Sequence, residues 1–411
     1  MNADIEKQKR ALRDALPALE QPVAQAEGLP AFVYTDASWF EAERQALFAA
    51  GWMAVAFKSD VPEPGSLVPV EIAGWSLLVT RARDDTIRVF HNLCPHRGMK
   101  LAAAPKTQCS GLTCPWHAWT FDLAGKLLST PNIGGPGVRT QDGFDRDGHG
   151  LREVRASVWL DVIFVNIDGR APALDDYTRS FRQRLADFDF ERTAQSDLAY
   201  EYDYACNWKI AIEGGIEDYH IPFVHPQLGP GGRFFAEYGD DRHVGIFCRR
   251  TVEDGKRRFL DVAQGAIKPL PAFPHVPDSG EVEASLIMLL FPNLFMATVL
   301  DHSTVSIIVP QDAGRTRYRR RFRLVEPAAT GADYAATRAR LLDGWISVTS
   351  QDGPVWGEVQ RMMTQRAELG FRSAFSAHWE SAIHEFQRKV AYKMLGETPP
   401  PRVREVRAAA E

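Results

Sequence analysis

The sequence has few cysteines, no long apolar run and no strong excess of either charge. Its five cysteines are odd in number and unevenly spaced, which argues against a disulfide framework and for a reducing, cytoplasmic location. The longest apolar stretch, 286–300, is broken by Pro292 and Asn293 and is too short to cross a bilayer, so it predicts two buried strands joined by a turn. The first twenty residues are charged and lack the apolar segment of a signal peptide. We therefore expect a cytoplasmic protein without a membrane partner.

A net charge of −5 over 411 residues argues against a nucleic-acid partner, because phosphate binding needs a concentrated basic surface. One basic stripe has a period of two, which predicts the solvent-facing side of a strand. Its members are Arg315, Arg317, Arg319, Arg321 and Arg323. The glycine-rich segment 132–137 lacks the strand-to-helix context of a nucleotide-binding loop, so no flavin or nicotinamide site is expected in this chain.

The chain is long enough for two domains, and the type of secondary structure that its sequence predicts changes twice along the chain. Residues 1–50 are predicted to be a helical segment that packs on the C-terminal domain, with Asp36 or Ser38 capping one helix. Residues 51–168 are rich in short strands and turns, and 169–411 mix strands with several helices. The predicted fold class is α+β, with an all-β domain followed by an antiparallel-sheet domain with flanking helices.

The individual elements follow from hydrophobic periodicity and turn signals. In the first domain we predict strands at 67–72, 76–80, 86–92 and 157–167. In the second we predict helices at 174–189, 207–221, 331–349, 353–368 and 378–395, and strands at 197–204, 244–251, 284–291, 294–300, 304–310 and 316–325.

Two short motifs pair cysteine with histidine. The first is CPH at 94–96 and the second is CPWH at 114–117. Two thiolates and two imidazoles can bind one zinc ion, or they can hold a two-iron, two-sulfur cluster with the thiolates on one iron and the imidazoles on the other. The tight C-x-H spacing, in loops expected to follow strands, favours the cluster. Cys109 fits neither ligand pair.

A second constellation lies near the start of the C-terminal domain. His220 and His225 are five residues apart, which on an ideal helix would separate them by about 140°. Pro222 disfavours helix at the residue before it, so we expect His220 to end a helix and His225 to fold back from the following turn. Two histidines and one carboxylate form the facial triad of non-haem iron oxygenases.

Both constellations resemble known motifs. The runs HNLCPHRG at 91–98 and CPWHAW at 114–119 are similar to the cluster loops of Rieske non-haem iron oxygenase catalytic (alpha) subunits. The resemblance implies a [2Fe–2S] cluster in the domain 51–168, held by Cys94, His96, Cys114 and His117. The family usually has Tyr and Gly where this chain has Trp116 and Ala118, a change that leaves all four ligands in place.

The run from Asn207 to His225 resembles the iron-binding segment of the same family. It implies that His220 and His225 bind a mononuclear iron in a catalytic domain of helix-grip type, 169–411. The family's bridging carboxylate is usually Asp, whereas here the matching residue is Glu217, with Asp218 beside it. Glutamate at this position is similar to the subgroup that oxidises carnitine and related quaternary amines.

The third iron ligand must come from elsewhere in the chain. The candidates are Asp218, Asp301, Asp352 and Glu358. Asp352 is preferred because the run QDGPVWGEVQ at 351–360 resembles the family's late helix, in which an Asp supplies the final ligand. Pro354 predicts that this helix begins near Asp352.

The resemblance implies an oxygenase that uses O₂ and electrons from NAD(P)H, delivered by a separate reductase with or without a ferredoxin. It also implies a head-to-tail homotrimer in which a carboxylate links a cluster His of one subunit to an iron His of the next. The reaction expected from Glu217 is monooxygenation of a small molecule, by hydroxylation, demethylation or C–N cleavage of an amine. The alternatives are cis-dihydroxylation of an aromatic ring and, outside catalysis, a Rieske electron carrier or a zinc-stabilised binding module.

Overall fold

The computed structural model describes residues 3–228, 233–237, 240, 242–252, 268–276 and 280–400. The chain divides into two compact units, Ala49–Ala171 and Met1–Phe48 together with Pro172–Glu411. Antiparallel sheets form the framework of both units, and the longer helices belong to the second. The predicted α+β fold class is confirmed. Within the described residues, no helix is both long and apolar enough to cross a membrane.

The unit Ala49–Ala171 is built almost wholly from strands. Its strands are β1 (Met53–Phe57), β2 (Leu67–Ile72), β3 (Trp75–Arg81), β4 (Ile87–His91), β5 (Leu112–Thr113), β6 (Thr120–Phe121), β7 (Leu127–Ser129), β8 (Glu153–Trp159) and β9 (Val162–Asn166), with 3₁₀ turns at Lys58–Asp60 and Asp147–His149. They form a six-stranded sheet in the order β1-β9-β8-β4-β3-β2 and a three-stranded sheet in the order β5-β6-β7.

The prediction of one continuous strand at 157–167 is wrong. The chain forms a hairpin instead, in which β8 and β9 pair through a turn at Leu160 and Asp161. Both turn residues have positive φ, +48° and +62°, as the favoured two-residue hairpin turn requires. The apolar run 157–167 hid this turn because it contains no glycine, the usual signal for such a conformation.

The second unit carries all the described α-helices. They are α1 (Ala3–Leu19), α2 (Phe32–Thr35), α3 (Ala37–Glu43), α4 (Leu174–Tyr177), α5 (Arg179–Arg184), α6 (Trp208–Glu213), α7 (Ile221–Val224), α8 (Ala335–Glu368) and α9 (Ser381–Leu395), with a π-helical turn at Arg44–Ala49 after α3 and 3₁₀ turns at Ala186–Phe188, Phe190–Arg192, Pro226–Leu228 and Ala332–Tyr334. Asp36 caps α3 by accepting hydrogen bonds from the backbone of Ser38 and Trp39, as predicted.

A seven-stranded antiparallel sheet is the centre of this unit. Its strands are β10 (Thr193–Tyr204), β11 (Arg233–Glu237), β12 (His243–Val252), β13 (Gly280–Leu290), β14 (Leu294–Val299), β15 (His302–Asp312) and β16 (Arg315–Val325), in the spatial order β10-β16-β15-β14-β13-β12-β11. The apolar stretch 286–300 forms two strands joined by a turn, as predicted. On the predicted wet face of β16, Arg317 pairs with Asp203 at 2.6 Å and Arg319 with Glu201 at 2.9 Å. Arg323 departs from that prediction, since it is buried and bonds Thr193.

Helix α8 is continuous where two helices were predicted. Asp352 therefore lies inside a helix, and the prediction that a helix begins there is wrong. The buried residues of α8 explain its continuity, because Trp345, Thr349, Asp352 and Trp356 follow one another at spacings of four, three and four and so share one face. Pro354 removes one backbone hydrogen bond, and the packing of that face outweighs the loss.

Candidate iron–sulfur and iron sites

The two cysteine–histidine motifs fold into equivalent turns. In the first, the Cys94 amide donates to the Met99 carbonyl at 2.8 Å, and the Gly98 amide donates back to Cys94 at 2.9 Å. In the second, the Cys114 amide donates to the Trp119 carbonyl at 2.8 Å, and the amide of residue 118 donates back to Cys114 at 3.0 Å. Each turn therefore presents one cysteine at its base and one histidine at its tip.

The four predicted cluster residues lie together. The thiols of Cys94 and Cys114 are buried in one core cluster, while the rings of His96 and His117 lie 4.6 Å apart nearer the surface. Burial, with the neighbouring Cys114, raises the pKa of Cys94 to about 11, so a thiolate here needs a positive partner. His117 Nδ1 is buried without a hydrogen-bond partner in the described structure. Two buried thiols and an unpartnered imidazole nitrogen fit a [2Fe–2S] cluster.

Ala118 occupies a backbone position that favours glycine. Its φ is +56°, whereas the equivalent residue of the first turn, Gly98, has φ of +75°. A left-handed conformation costs a residue with a side chain roughly 1 kcal/mol. We therefore expect Ala118→Gly to raise the free energy of unfolding of this unit by up to about 1 kcal/mol and Gly98→Ala to lower it by a similar amount. Chemical denaturation followed by cluster absorbance would measure both, and equal stabilities for all three proteins would contradict the assignment of strain.

The segment that carries His220 and His225 is only partly helical. Asn207 caps α6 through its side chain, which accepts the Lys209 amide at 3.0 Å, and α6 ends at Glu213. The predicted helix 207–221 is thus too long, because two glycines follow Glu213 and weaken further helix. His220 precedes the short helix α7 and His225 follows it, so the expectation that His220 ends a helix is wrong.

The three predicted iron ligands converge on one point. Nitrogen atoms of His220 and His225 and a carboxylate oxygen of Asp352 all lie within 4.8 Å of one another. His225 Nε2 is 2.9 Å from Asp352 Oδ1, and His220 Nε2 is 3.6 Å from the same oxygen. This set of two imidazoles and one carboxylate fits the donors that hold non-haem iron(II). The other candidates are placed differently, since Asp301 bonds His302 and Glu358 is exposed and pairs with Arg361.

The remaining ring nitrogen of each of these two histidines has its own partner. Glu217 Oε1 contacts His220 Nδ1, and Gln351 Oε1 lies 2.9 Å from His225 Nδ1. Burial lowers the pKa of His220, but the hydrogen bond and charge of Glu217 outweigh it and raise that pKa above its ordinary value. These contacts direct both Nε2 atoms towards Asp352. Asp218 is buried beside Glu217, and it too acts on His220 through its charge.

Gln351 is a functional candidate that the sequence analysis missed. It neighbours Asp352 on α8, yet its side chain reaches another candidate ligand, His225, and also accepts the Gln227 amide at 2.7 Å. The signal was present in the adjacent QD pair at 351–352. A helix that is predicted to begin at Asp352 leaves Gln351 outside it, so the pair alone does not indicate that Gln351 reaches His225.

A buried polar network lies behind α6. Lys209 Nζ donates to Glu43 at 2.6 Å, and Glu213 accepts from the Tyr34 hydroxyl at 2.7 Å and from the Gln387 amide at 3.0 Å. These bonds tie the iron-binding segment to α2, α3 and α9. They explain why the run NWK at 207–209 and Glu213 belong to one motif, although neither is hydrogen-bonded to the three iron-ligand candidates.

The carboxyl of Glu213 is expected to make stability depend on pH. Burial raises its pKa from the ordinary 4.5 to about 7, and the Tyr34 and Gln387 hydrogen bonds offset that rise only in part. The folded state therefore holds a proton that the unfolded state releases between pH 4.5 and 7, so the free energy of unfolding falls across this window by roughly 3 kcal/mol. Glu213→Gln keeps an oxygen acceptor and removes this fall. Urea unfolding at pH 5 and pH 8 would test it, and parallel pH profiles for both proteins would contradict it.

Comparison with known proteins agrees with this arrangement. The family profile described as "Ring hydroxylating alpha subunit (catalytic domain)" matches residues 190–396, and the profile "Rieske [2Fe-2S] domain" matches residues 51–140. The chain belongs to the Rieske oxygenase alpha-subunit family. It is an oxidoreductase with a Rieske [2Fe–2S] domain and a catalytic domain of the mononuclear-iron type, as the resemblance implied.

Curated relatives and solved structures extend the comparison. The glycine betaine monooxygenase oxygenase subunit of Chromohalobacter salexigens is 27% identical over 85% of this chain and 82% of its own length. The carnitine monooxygenase oxygenase subunit of Escherichia coli K12 is 31% identical, but over only 48% of this chain and 52% of its own. A solved quaternary ammonium Rieske monooxygenase has the same fold, with a TM-score of 0.72 and 21% identity over 92% of this chain and 97% of its own. Naphthalene 1,2-dioxygenase from a Rhodococcus species reaches the same TM-score at 18% identity, over 96% of this chain and 99% of its own.

Proposed function

We propose that this Rieske oxygenase is a monooxygenase of a small quaternary amine. The observation that carries the proposal is the contact between Glu217 and His220 Nδ1. Glu217 occupies the position at which the family usually has Asp. Glutamate here is similar to the carnitine-oxidising subgroup. The names of the glycine betaine and carnitine relatives support the same substrate class.

Aromatic rings beside the iron ligands support an ammonium substrate. Trp356 lies one turn after Asp352 on α8, and its ring is 4.6 Å from Tyr204. The ring centroid of Tyr204 lies 4.9 Å from that of Tyr318. The ring centroid of Phe295 lies 6.5 Å from that of Tyr318. The π faces of tryptophan and tyrosine attract quaternary ammonium groups, which cannot donate hydrogen bonds.

In this proposal His220, His225 and Asp352 hold the iron, and Cys94, His96, Cys114 and His117 hold the cluster. The iron supplies oxygen activation when bound, and the cluster supplies electron transfer. Glu217 and Gln351 fix the ring orientation of the two iron histidines by holding their Nδ1 atoms. The cluster domain corresponds to 51–168 and the catalytic domain to 169–411, with the helical segment 1–50 packed on the latter.

The assembly that we propose is a head-to-tail homotrimer in the cytoplasm, supplied with electrons by a separate NAD(P)H-dependent reductase, with or without a ferredoxin. In it, Glu217 links His220 to His96 or His117 of the neighbouring subunit. The solved quaternary ammonium monooxygenase is described with inter-subunit electron transfer, which supports this arrangement.

The test is oxygen uptake by the iron-loaded protein with a surrogate reductase. Glycine betaine, carnitine and γ-butyrobetaine would be compared with naphthalene, biphenyl and benzoate, and products would be identified by mass spectrometry. We expect coupled oxygen uptake and a product carrying one added oxygen, or its C–N cleavage fragments, with a trimethylammonium compound. Coupled formation of a cis-diol from an aromatic ring, without turnover of any amine, would overturn the proposal in favour of dihydroxylation.

A further inference from the structure

A buried arginine on the inner face of the sheet has no anionic partner among the described residues. Arg320 lies on β16, in phase with the buried residues Thr316 and Tyr318, and it is only 5% exposed. Its Nε donates to the Ser306 hydroxyl at 2.8 Å, and its Nη1 donates to the Tyr200 hydroxyl at 2.6 Å and lies 3.4 Å from Thr349 Oγ1. Among the described residues, no carboxylate lies within ion-pair distance of its guanidinium, and its Nη2 has no hydrogen-bond partner.

This environment solvates the guanidinium without neutralising it. Its three hydrogen-bond partners are neutral hydroxyls, and its carbon atom Cζ lies 4.9 Å from the centroid of the Trp345 ring and 5.4 Å from that of Tyr200. Taking a charge out of water is costly unless an opposite charge compensates it. Elsewhere on β16, Arg317 and Arg319 have carboxylate partners on the wet face. An anion beside Arg320 would supply the missing compensation.

The position of Arg320 relates it to the iron ligands. Thr349, whose hydroxyl faces Arg320, precedes Asp352 by three residues on α8, about 4.5 Å along the helix axis. Burial raises the pKa of the Tyr318 phenol well above its ordinary value, and the charges of both Arg320 and Asp352 act on that phenol. The guanidinium and the iron-binding carboxylate therefore lie in the same layer, between the inner face of the sheet and α8.

We propose that Arg320 binds the carboxylate of the substrate and so makes the enzyme selective for zwitterionic amines over simple cations. This inference rests on the proposed function for the ammonium half of the substrate. Guanidinium groups bind carboxylates with two parallel N–H donors, and Nη2 supplies one to which no described residue is bonded. The carboxylate would lie at Arg320 while the ammonium group and its methyl carbons lie towards Asp352 and the Trp356 ring.

The test measures binding by calorimetry on the iron-loaded protein, without reductase. Glycine betaine is compared with choline, which keeps the ammonium group and lacks the carboxylate, and with benzoate, which keeps only the carboxylate. We expect the native protein to bind glycine betaine at least about 10-fold more tightly than choline, and Arg320→Gln to weaken glycine betaine about 30- to 300-fold while choline changes less than about threefold. Arg320→Lys should recover part of the loss, because it restores the charge without the planar fork.

Arg317→Gln is the matched control. It removes the same charge from the same strand on its wet face, and it should leave the affinity for glycine betaine within about twofold. Iron content and circular dichroism establish that each variant is folded. If Arg320→Gln does not fold, the preference of the native protein for glycine betaine over choline and the Arg320→Lys affinities decide the question.

The outcomes separate this inference from the function on which it rests. Equal affinity of the native protein for glycine betaine and choline, an unchanged affinity in Arg320→Gln, or no binding of any carboxylate probe would overturn the role of Arg320. Binding of benzoate that depends on Arg320, with no binding of either trimethylammonium compound, would keep Arg320 as a carboxylate anchor and overturn the quaternary-amine proposal.

Discussion

Glu217→Gln is expected to slow substrate-dependent turnover by about 100-fold while the cluster and the iron stay bound. The carboxylate of Glu217 contacts His220 Nδ1 and also accepts the His220 backbone amide at 3.2 Å. Glutamine has a similar shape but only one acceptor oxygen and no charge, so it cannot orient His220 and accept from a cluster histidine at the same time. Turnover would be followed as NADH-coupled product formation, with iron analysis and the low-temperature EPR spectrum of the reduced cluster as readouts of loading.

Glu358→Gln is the control for this experiment. Glu358 is exposed and pairs with Arg361 on α8, so its replacement should leave turnover within about twofold. Normal coupled turnover in Glu217→Gln would show that Glu217 is not the carboxylate that links His220 to a cluster histidine. Asp218→Asn would then be the variant to examine, because Asp218 is buried next to it and also acts on His220.

Asp352→Asn is expected to lower the iron content by about one atom per chain and to reduce product formation to the detection limit. Asp352 supplies the carboxylate that both His225 and His220 approach, and an amide oxygen is a neutral and weaker donor for iron(II). The cluster absorbance should be unchanged, since its ligand candidates all belong to the unit Ala49–Ala171. Iron analysis beside the visible spectrum measures both effects.

Asp301→Asn is the corresponding control, because Asp301 was a candidate ligand on sequence grounds but is bonded to His302 at 2.7 Å. It should retain the mononuclear iron, whatever its effect on stability. If Asp352→Asn kept its full iron content and Asp301→Asn lost iron, the third ligand would be Asp301, in the β14–β15 turn, and not Asp352 on α8.

Local signals in the sequence predicted six of the seven strands of the sheet in the second unit, all except β11, and they located the cluster loops. Hydrophobic alternation and turn residues predicted strands close to those observed, and the paired cysteine–histidine motifs lie in equivalent turns. Proline was a poorer guide. Pro354 suggested the start of a helix, but the apolar face that runs from Trp345 to Trp356 keeps α8 continuous. Packing of this kind depends on what lies opposite the helix, which local sequence does not reveal.

Long-range polar contacts were the other part of the site that sequence could not predict. Gln351 bonds His225 across 126 positions of the chain, and Arg320 meets Thr349 only after the sheet and α8 are assembled. Arg320 is out of phase with the odd-numbered arginines of its strand, of which Arg317 and Arg319 lie on the wet face. Its burial follows from the two-residue period of the strand.

The unbroken course of α8 has a consequence for how the enzyme would sort its substrates. One continuous helix carries both Thr349, which lies 3.4 Å from Arg320, and Asp352, which lies 2.9 Å from His225. The helix therefore fixes the distance between the two ends of the proposed binding site, and this distance cannot increase to fit a longer substrate. A substrate lengthened by one methylene, with its carboxylate still at Arg320, would bring a different carbon atom to the Asp352 end. Chain length would then decide which C–H bond is oxidised.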